Sequence, residues 1–168
     1  KRSSFICFAN VHMTIEAYKD KSYLEKLNKA DLVLADGKPV AMACKLLHHK
    51  KQERISRMDL TPLILARANE KSLSVFIYGS TQNVIDAIKE KMNVDLPNIK
   101  FAGAISPPFR VLTSEENEID VKKIDQSGAH LVLVSLGCPK QEKWMAENSF
   151  KINAVLLGIG GALPVVAG

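Results

Sequence analysis

The apolar run Leu32-Val33-Leu34-Ala35 stops at Asp36, and Gly37 follows before a new apolar segment begins. A strand that ends on a carboxylate puts an acid where ligands of parallel α/β sheets sit, beyond the carboxyl ends of the strands. A carboxylate at that edge is placed for chemistry rather than packing. The same residue also reads as a helix N-cap, and spacing alone leaves both readings open. Arg54, taken alone, reads as a solvated surface charge.

Other apolar runs end in the same way. Asn10 follows one, and Gly79-Ser80-Thr81 follows another. Ser106-Pro107-Pro108, Gly137-Cys138-Pro139-Lys140-Gln141 and Gly158-Ile159-Gly160-Gly161 follow three more. Glycine at such a turn lets the backbone approach a ligand closely. Helix starts at Thr81 and Pro139 would offer free N–H groups and a positive dipole end to a phosphate. Each position also has a plainer reading. A glycine can be only a turn, Gln141 an exposed first-turn residue, and Trp144 a packed helix residue.

The elements that must hold these residues are legible in the hydrophobic pattern. Six short, nearly continuous apolar runs read as strands buried on both faces: Ser4–Ala9, Asp31–Ala35, Ser74–Tyr78, Lys100–Ala104, His130–Leu136 and Asn153–Leu157. Helical patterns lie between them. His12–Leu27 carries Ile15, Tyr18, Leu24 and Leu27, and Lys38–Leu47 is short and apolar. Asp59–Asn69 opens on Asp59 as a cap, with Pro62 in its first turn. Thr81–Met92 sets Val84, Ile85, Ile88 and Met92 on one stripe. Thr113 and Glu116 form a capping-box pattern for a helix reaching about Ser127. Pro139–Ser149 starts on proline. The alternation predicts an α/β, Rossmann-like fold: a mostly parallel sheet of about six strands with helices on both faces.

Composition narrows the function. The 168 residues suit one domain, 1–168, with a real core. No stretch approaches the ~20 apolar residues that span a bilayer, and Phe5–Ala9 is too short for the apolar part of a secretion signal. The net charge of +5 fits an anionic small molecule, membrane surface or nucleic acid. The densest basic cluster, Lys45–Arg57, has no aromatics interleaved with it, so no nucleic-acid partner is expected. Cys7, Cys44 and Cys138 are odd in number and far apart, which argues against a disulfide framework or zinc site. The four histidines form no ligand pattern, and no metal or cofactor is expected. Gly158-Ile159-Gly160-Gly161-Ala162-Leu163 is not a dinucleotide fingerprint. Leu163 stands in place of the last glycine, and Pro164 follows where a helix should run. There is no phosphate-binding G-x-x-x-x-G-K-[ST] loop.

In chain order, the pieces are Asn10; Ala30 to Gly37; Glu53-Arg54 with Met58-Asp59-Leu60; Phe76 to Gly79; Gly103 to Phe109; Leu136-Gly137-Cys138-Pro139-Lys140-Gln141-Glu142-Lys143-Trp144; and Gly158 to Gly161 with Gly168. Along almost its whole length the chain resembles the WecG/TagA/CpsF glycosyltransferases. The resemblance implies an inverting, metal-independent bacterial enzyme. It would move a sugar from a UDP-sugar, such as UDP-N-acetylmannosamine or another UDP-hexose, to a polyprenyl-diphosphate-linked saccharide. The work would serve cell-surface polysaccharides at the inner face of the membrane.

By position, the resemblance makes Asp36 the catalytic base and Arg54 the stabiliser of the leaving diphosphate. Asn10, Gly37, Gly79, Ser80, Pro107, Gly137, Lys140, Gln141 and Gly160 become substrate-binding positions. Two departures stand out: Phe8 where many members have threonine, and Leu163-Pro164 near the end. Members usually continue into an arginine-rich segment tied to membrane association, which is expected to be missing here. The apolar tail Ala162–Gly168 suggests a surface for a partner, self-association included. The competing readings are a nucleotide-sugar-binding module without turnover and an unrelated hydrolase using Asp36.

Overall fold

A computed structural model describes residues 3–49 and 51–167. Lys50, in the basic cluster, and Gly168, which closes the family pattern, lie outside the described residues. The strands are β1 (Ser4–Ala9), β2 (Leu32–Ala35), β3 (Ser74–Gly79), β4 (Lys100–Ile105), β5 (Leu131–Ser135) and β6 (Val155–Gly158). They form one sheet in the order β2-β1-β6-β5-β3-β4. Every pairing is parallel. The helices are α1 (Val11–Lys19), α2 (Lys21–Leu27), α3 (Lys38–His48), α4 (Arg57–Glu70), α5 (Gln82–Asp95), α6 (Ser114–Gln126), α7 (Lys140–Asn148) and α8 (Ala162–Ala167).

The apolar residues of each strand feed two cores, one on each face of the sheet. Met13, Tyr23, Val121, Ile124, Trp144 and Met145 bring α1, α2, α6 and α7 to one face. Leu65, Ile85, Ile88, Met92 and Leu163 bring α4, α5 and α8 to the other. This sorting follows from crossover handedness. Connections that step toward the β2 edge run through α1–α2, α6 and α7; those that step toward the β4 edge run through α4 and α5. Right-handed crossovers require the two sets to lie on opposite faces.

The six strands and their parallel pairing agree with the sequence reading, but four local expectations need correction. The segment His12–Leu27 is two helices. Asp20 ends α1 through its N–H to Glu16 O at 2.9 Å, and its carboxylate caps α2 by accepting from Tyr23 N at 3.1 Å. The break shifts the helical phase, so Met13, Ala17, Tyr23 and Leu27 are buried while Ile15, Tyr18 and Leu24 are exposed.

The cap of α4 is Ser56, whose hydroxyl accepts from Met58 N at 3.2 Å. Asp59 is therefore a first-turn acid, and Pro62 lies inside the helix. Strands β2 and β4 are not buried on both faces, because they form the two sheet edges: Leu32 and Val33 are exposed, and no residue of β4 is fully buried. Pro164 does not prevent a helix. It is the third residue of α8, where its missing N–H would have had no partner in the helix.

Candidate active site

Register brings the first two polar residues together. Ala9 and Ala35 are partners in the β1–β2 ladder, so Asn10 and Asp36 leave the sheet side by side. Asp36 N donates to Ala9 O at 2.8 Å. The Asn10 amide oxygen caps α1, accepting from Met13 N at 2.9 Å. The cap of α3 is Gly37, at φ +107°, with Pro39 in the first turn. Asp36 is thus not used as a cap, and its carboxylate is left for another partner.

That partner is Arg57. Its Nε donates to Asp36 Oδ2 at 2.6 Å, and the two side chains are only 13% and 15% exposed. The reason is local. Ile55 N donates to Ala35 O at 2.9 Å, tying the segment before α4 to the end of β2, and the Ser56 cap then sets Arg57 as the first helical residue. Arg54 lies on the same segment but turns outward. Its Nη2 pairs with Asp59 Oδ2 at 2.7 Å, with 43% of its side chain exposed. Sequence reasoning missed Arg57. Reading Ser56 rather than Asp59 as the cap would have put Arg57 at the sheet edge.

Gln141 is the next surprise, because it is buried to 1% exposure rather than exposed. Its Nε2 donates to Glu142 Oε1 at 2.6 Å and to Gly158 O at 3.0 Å. Tyr23 donates its hydroxyl to the other oxygen of Glu142 at 3.1 Å, and Cys138 Sγ lies 3.5 Å from that hydroxyl. Burial pushes the Glu142 carboxyl above the usual carboxylate range, opposed by hydrogen bonds from Gln141 and Tyr23. Burial also pushes the Cys138 thiol up, to about 11. Glu142 stands in the motif that carries the family resemblance but has no role assigned there, and Tyr23, a tyrosine on an amphipathic helix, carries no spacing signal.

The remaining predicted residues gather on the other side of β6. A cavity of about 480 Å³ opens at the ends of β3 and β5, lined by Gly79, Ser80, Pro107, Ser135, Lys140 and Trp144 among others. Its volume suits a cofactor-sized or nucleotide-sized ligand. Its place is physical as well: the chain leaving β3 turns toward one sheet edge and the chain leaving β5 toward the other, so a crevice must open between them.

Gly79 is required there. At φ +104°, a Cβ would sit 2.4 Å from Ser135 O. Ser80 N donates to Ser135 O at 2.9 Å, and Ser106 Oγ donates to Ser80 O at 2.7 Å. Tyr78 and Trp144 stack with ring centroids 4.3 Å apart, and both residues belong to the cavity wall. Trp144 therefore packs in the core and backs the cavity wall. Lys140 opens α7, where its charge adds to the positive helix end. Gly137, at φ +79°, makes the turn into α7, and its carbonyl accepts from Gln141 N at 2.9 Å.

The predicted site thus forms two neighbouring halves. Gly79, Ser80, Pro107 and Lys140 surround the cavity. Asn10, Asp36 and Gly37 lie at the β1–β2 end and are not among the cavity's lining residues. Gln141 and Gly160 stand between the halves, and Ser135 Oγ donates to Gly160 O at 2.8 Å. Phe8, at the departure from the family pattern, is buried in the core on the α4–α5 face. Among the described residues, no three of the His, Cys, Asp and Glu side chains are grouped to hold a metal ion. No helix of the described residues is long and apolar enough to cross a membrane.

A doubly wound parallel sheet with an acid at one strand end and a nucleotide-sized crevice at its switch point defines a Rossmann-like α/β protein. The glycosyl transferase WecG/TagA/CpsF family model matches residues 1–168, and the chain belongs to that family. A Bacillus subtilis (strain 168) protein named N-acetylglucosaminyldiphosphoundecaprenol N-acetyl-beta-D-mannosaminyltransferase is 30% identical to it, over 100% of this chain and 64% of its own length. Proteins of the same name from Bacillus spizizenii and Staphylococcus aureus (strain NCTC 8325 / PS 47) are each 33% identical, over 99% and 98% of this chain. The chain spans 63% of the length of each of these two.

Proposed function

We propose that the protein is an inverting glycosyltransferase that moves N-acetylmannosamine, or a related hexose, from its UDP derivative to a polyprenyl-diphosphate-linked saccharide. Family membership and the names of the relatives support the reaction class. The observation that carries the mechanism is the Asp36 carboxylate, only 15% exposed, at the carboxyl end of β2. A Gly160 strap separates it from a cavity of about 480 Å³.

In the proposed reaction, UDP occupies the cavity, with its diphosphate near Lys140 and the start of α7. The acceptor hydroxyl attacks the anomeric carbon from the side opposite the diphosphate. As the new glycosidic bond forms, the hydroxyl proton passes to Asp36. The bond to the diphosphate breaks, and UDP leaves with its electron pair. Arg54, which pairs with Asp59 in this structure, is assigned to the departing charge by its place in the family pattern, and the helix end adds to it. The lipid-linked acceptor places the work at the inner face of the membrane, with the complete protein at the surface. No metal is needed in this scheme, because arginine, lysine and backbone N–H groups carry the phosphate charge.

The test is a transfer assay on the complete protein. UDP-N-acetylmannosamine and a short-chain polyprenyl-diphosphate N-acetylglucosamine serve as substrates, with and without EDTA. A disaccharide product of inverted anomeric configuration, formed in both conditions, is expected. Retention of configuration would overturn the single-displacement role of Asp36, and loss of turnover in EDTA would overturn the metal-free scheme.

A further inference from the structure

Helix α3 carries an apolar stripe that faces away from the protein. Pro39, Met42, Ala43, Leu46 and Leu47 follow the i, i+3, i+4, i+7, i+8 spacing that normally turns a helix toward a core. All five are exposed, with Met42 at 68%, Leu46 at 78% and Leu47 at 71%. The inward side is formed by buried Ala41, with Val40 and Cys44 half-buried beside it. Large apolar side chains grouped on one exposed helix face mark a surface that another body covers.

The charges around the stripe select that body. No acid stands between Asp36 and Glu53, a stretch that carries Lys38, Lys45, Lys50 and Lys51. Lys38, Lys45 and Lys51 are exposed. A second copy of the chain, meeting this one across a twofold axis, would set the same cations against each other. The complement is a partner both anionic and apolar. The headgroups of an anionic bilayer, with the acyl region beneath them, meet both conditions.

The place of α3 in the fold joins this surface to the reaction. Gly37 caps the helix, so it starts two residues after Asp36. At 1.5 Å per residue, its 11 residues span only about 16 Å, and the acid stays close to whatever surface the helix rests on. We propose that α3 is a membrane-contact helix. Its stripe enters the headgroup boundary, its lysines meet lipid phosphates, and Asp36 is held beside the surface on which a lipid-linked acceptor arrives. That last step rests on the acceptor reading given above; the contact itself does not.

Met42→Gln/Leu46→Gln/Leu47→Gln tests the contact in the complete protein. The three side chains are exposed, so the melting temperature is expected within about 3 °C of the wild type. Cosedimentation is measured with vesicles of phosphatidylcholine alone and of an equal mixture with phosphatidylglycerol. The wild type is expected to bind the mixed vesicles, and the variant to bind them at least about tenfold more weakly. Lys45→Glu/Lys51→Glu is expected to remove the preference for the mixed vesicles. Transfer to a water-soluble short-chain acceptor should keep the wild-type rate in both variants, while transfer to an acceptor embedded in vesicles falls with binding.

Wild-type vesicle binding by the apolar variant would overturn the contact, and so would a wild-type protein that binds no vesicles. A melting temperature lowered by more than about 5 °C would mean that the rest of the chain covers the stripe. Loss of a dimer formed by the wild type would mean that a second copy covers it, and either result overturns the proposal. If the variants lose vesicle binding but the wild type transfers sugar to no lipid-linked acceptor, the acceptor reading falls and the contact stands.

Discussion

At the scale of residues, the account turns on which arginine meets the acid. Arg54 and Arg57 are three positions apart, yet only Arg57 touches Asp36, because Ser56 starts α4 and aims its first residue at the sheet edge. Arg54 pairs with Asp59 instead. Glu142 carries a separate, pH-dependent consequence. Burial raises its pKa above the ordinary 4.5, so the folded chain holds a proton that the unfolded chain releases. That contribution to stability is full below about pH 4.5 and is lost as pH rises through the folded value. Glu142→Gln, which cannot ionise, should lack this loss. Melting temperatures compared at pH 5 and pH 8 should fall more for the wild type than for the variant. An equal fall in both would show that Glu142 does not hold its proton in the fold.

At the scale of elements, the strands were legible because burial on two faces writes a continuous apolar run into the sequence. Their carboxyl ends, and with them Asp36, Gly79 and Gly160, followed. Helix phase was harder to read. Asp20 both ends α1 and caps α2, a double use that periodicity cannot reveal, and so Tyr18 was placed inward although it is 89% exposed. Arg57 escaped notice for a similar reason, since its place depends on which of two good capping residues wins. Pro164 misled because the rule against proline in helices does not reach the first turn.

Close strand packing makes its own prediction. Gly79→Ala would press a Cβ to 2.4 Å from the Ser135 carbonyl at φ +104°. It should cost on the order of 3 kcal/mol in urea unfolding. Gly128→Ala, with φ +64° and nothing within 4 Å, should cost only ~1–2 kcal/mol. Similar costs for the two would mean that conformation, not the approach of β3 to β5, decides the residue at 79.

At the scale of the whole molecule, strand order does what no motif could do. The sequence suggested one constellation around Asp36. The order β2-β1-β6-β5-β3-β4 instead splits it into a crevice between β3 and β5 and an acid two strands beyond β6, with Gly160 as the strap between. That separation suits the proposed reaction, in which a nucleotide is held on one side and a proton is taken on the other.

The central claim is that Asp36 is the base of that reaction, and the direct measurement is Asp36→Asn in the complete protein. Transfer from UDP-N-acetylmannosamine to the lipid-linked acceptor and the affinity for UDP are followed together. The account predicts a fall in kcat of about 10²–10⁴-fold, with the Kd for UDP within about threefold of the wild type. A folded variant that binds UDP and turns over at the wild-type rate would contradict it.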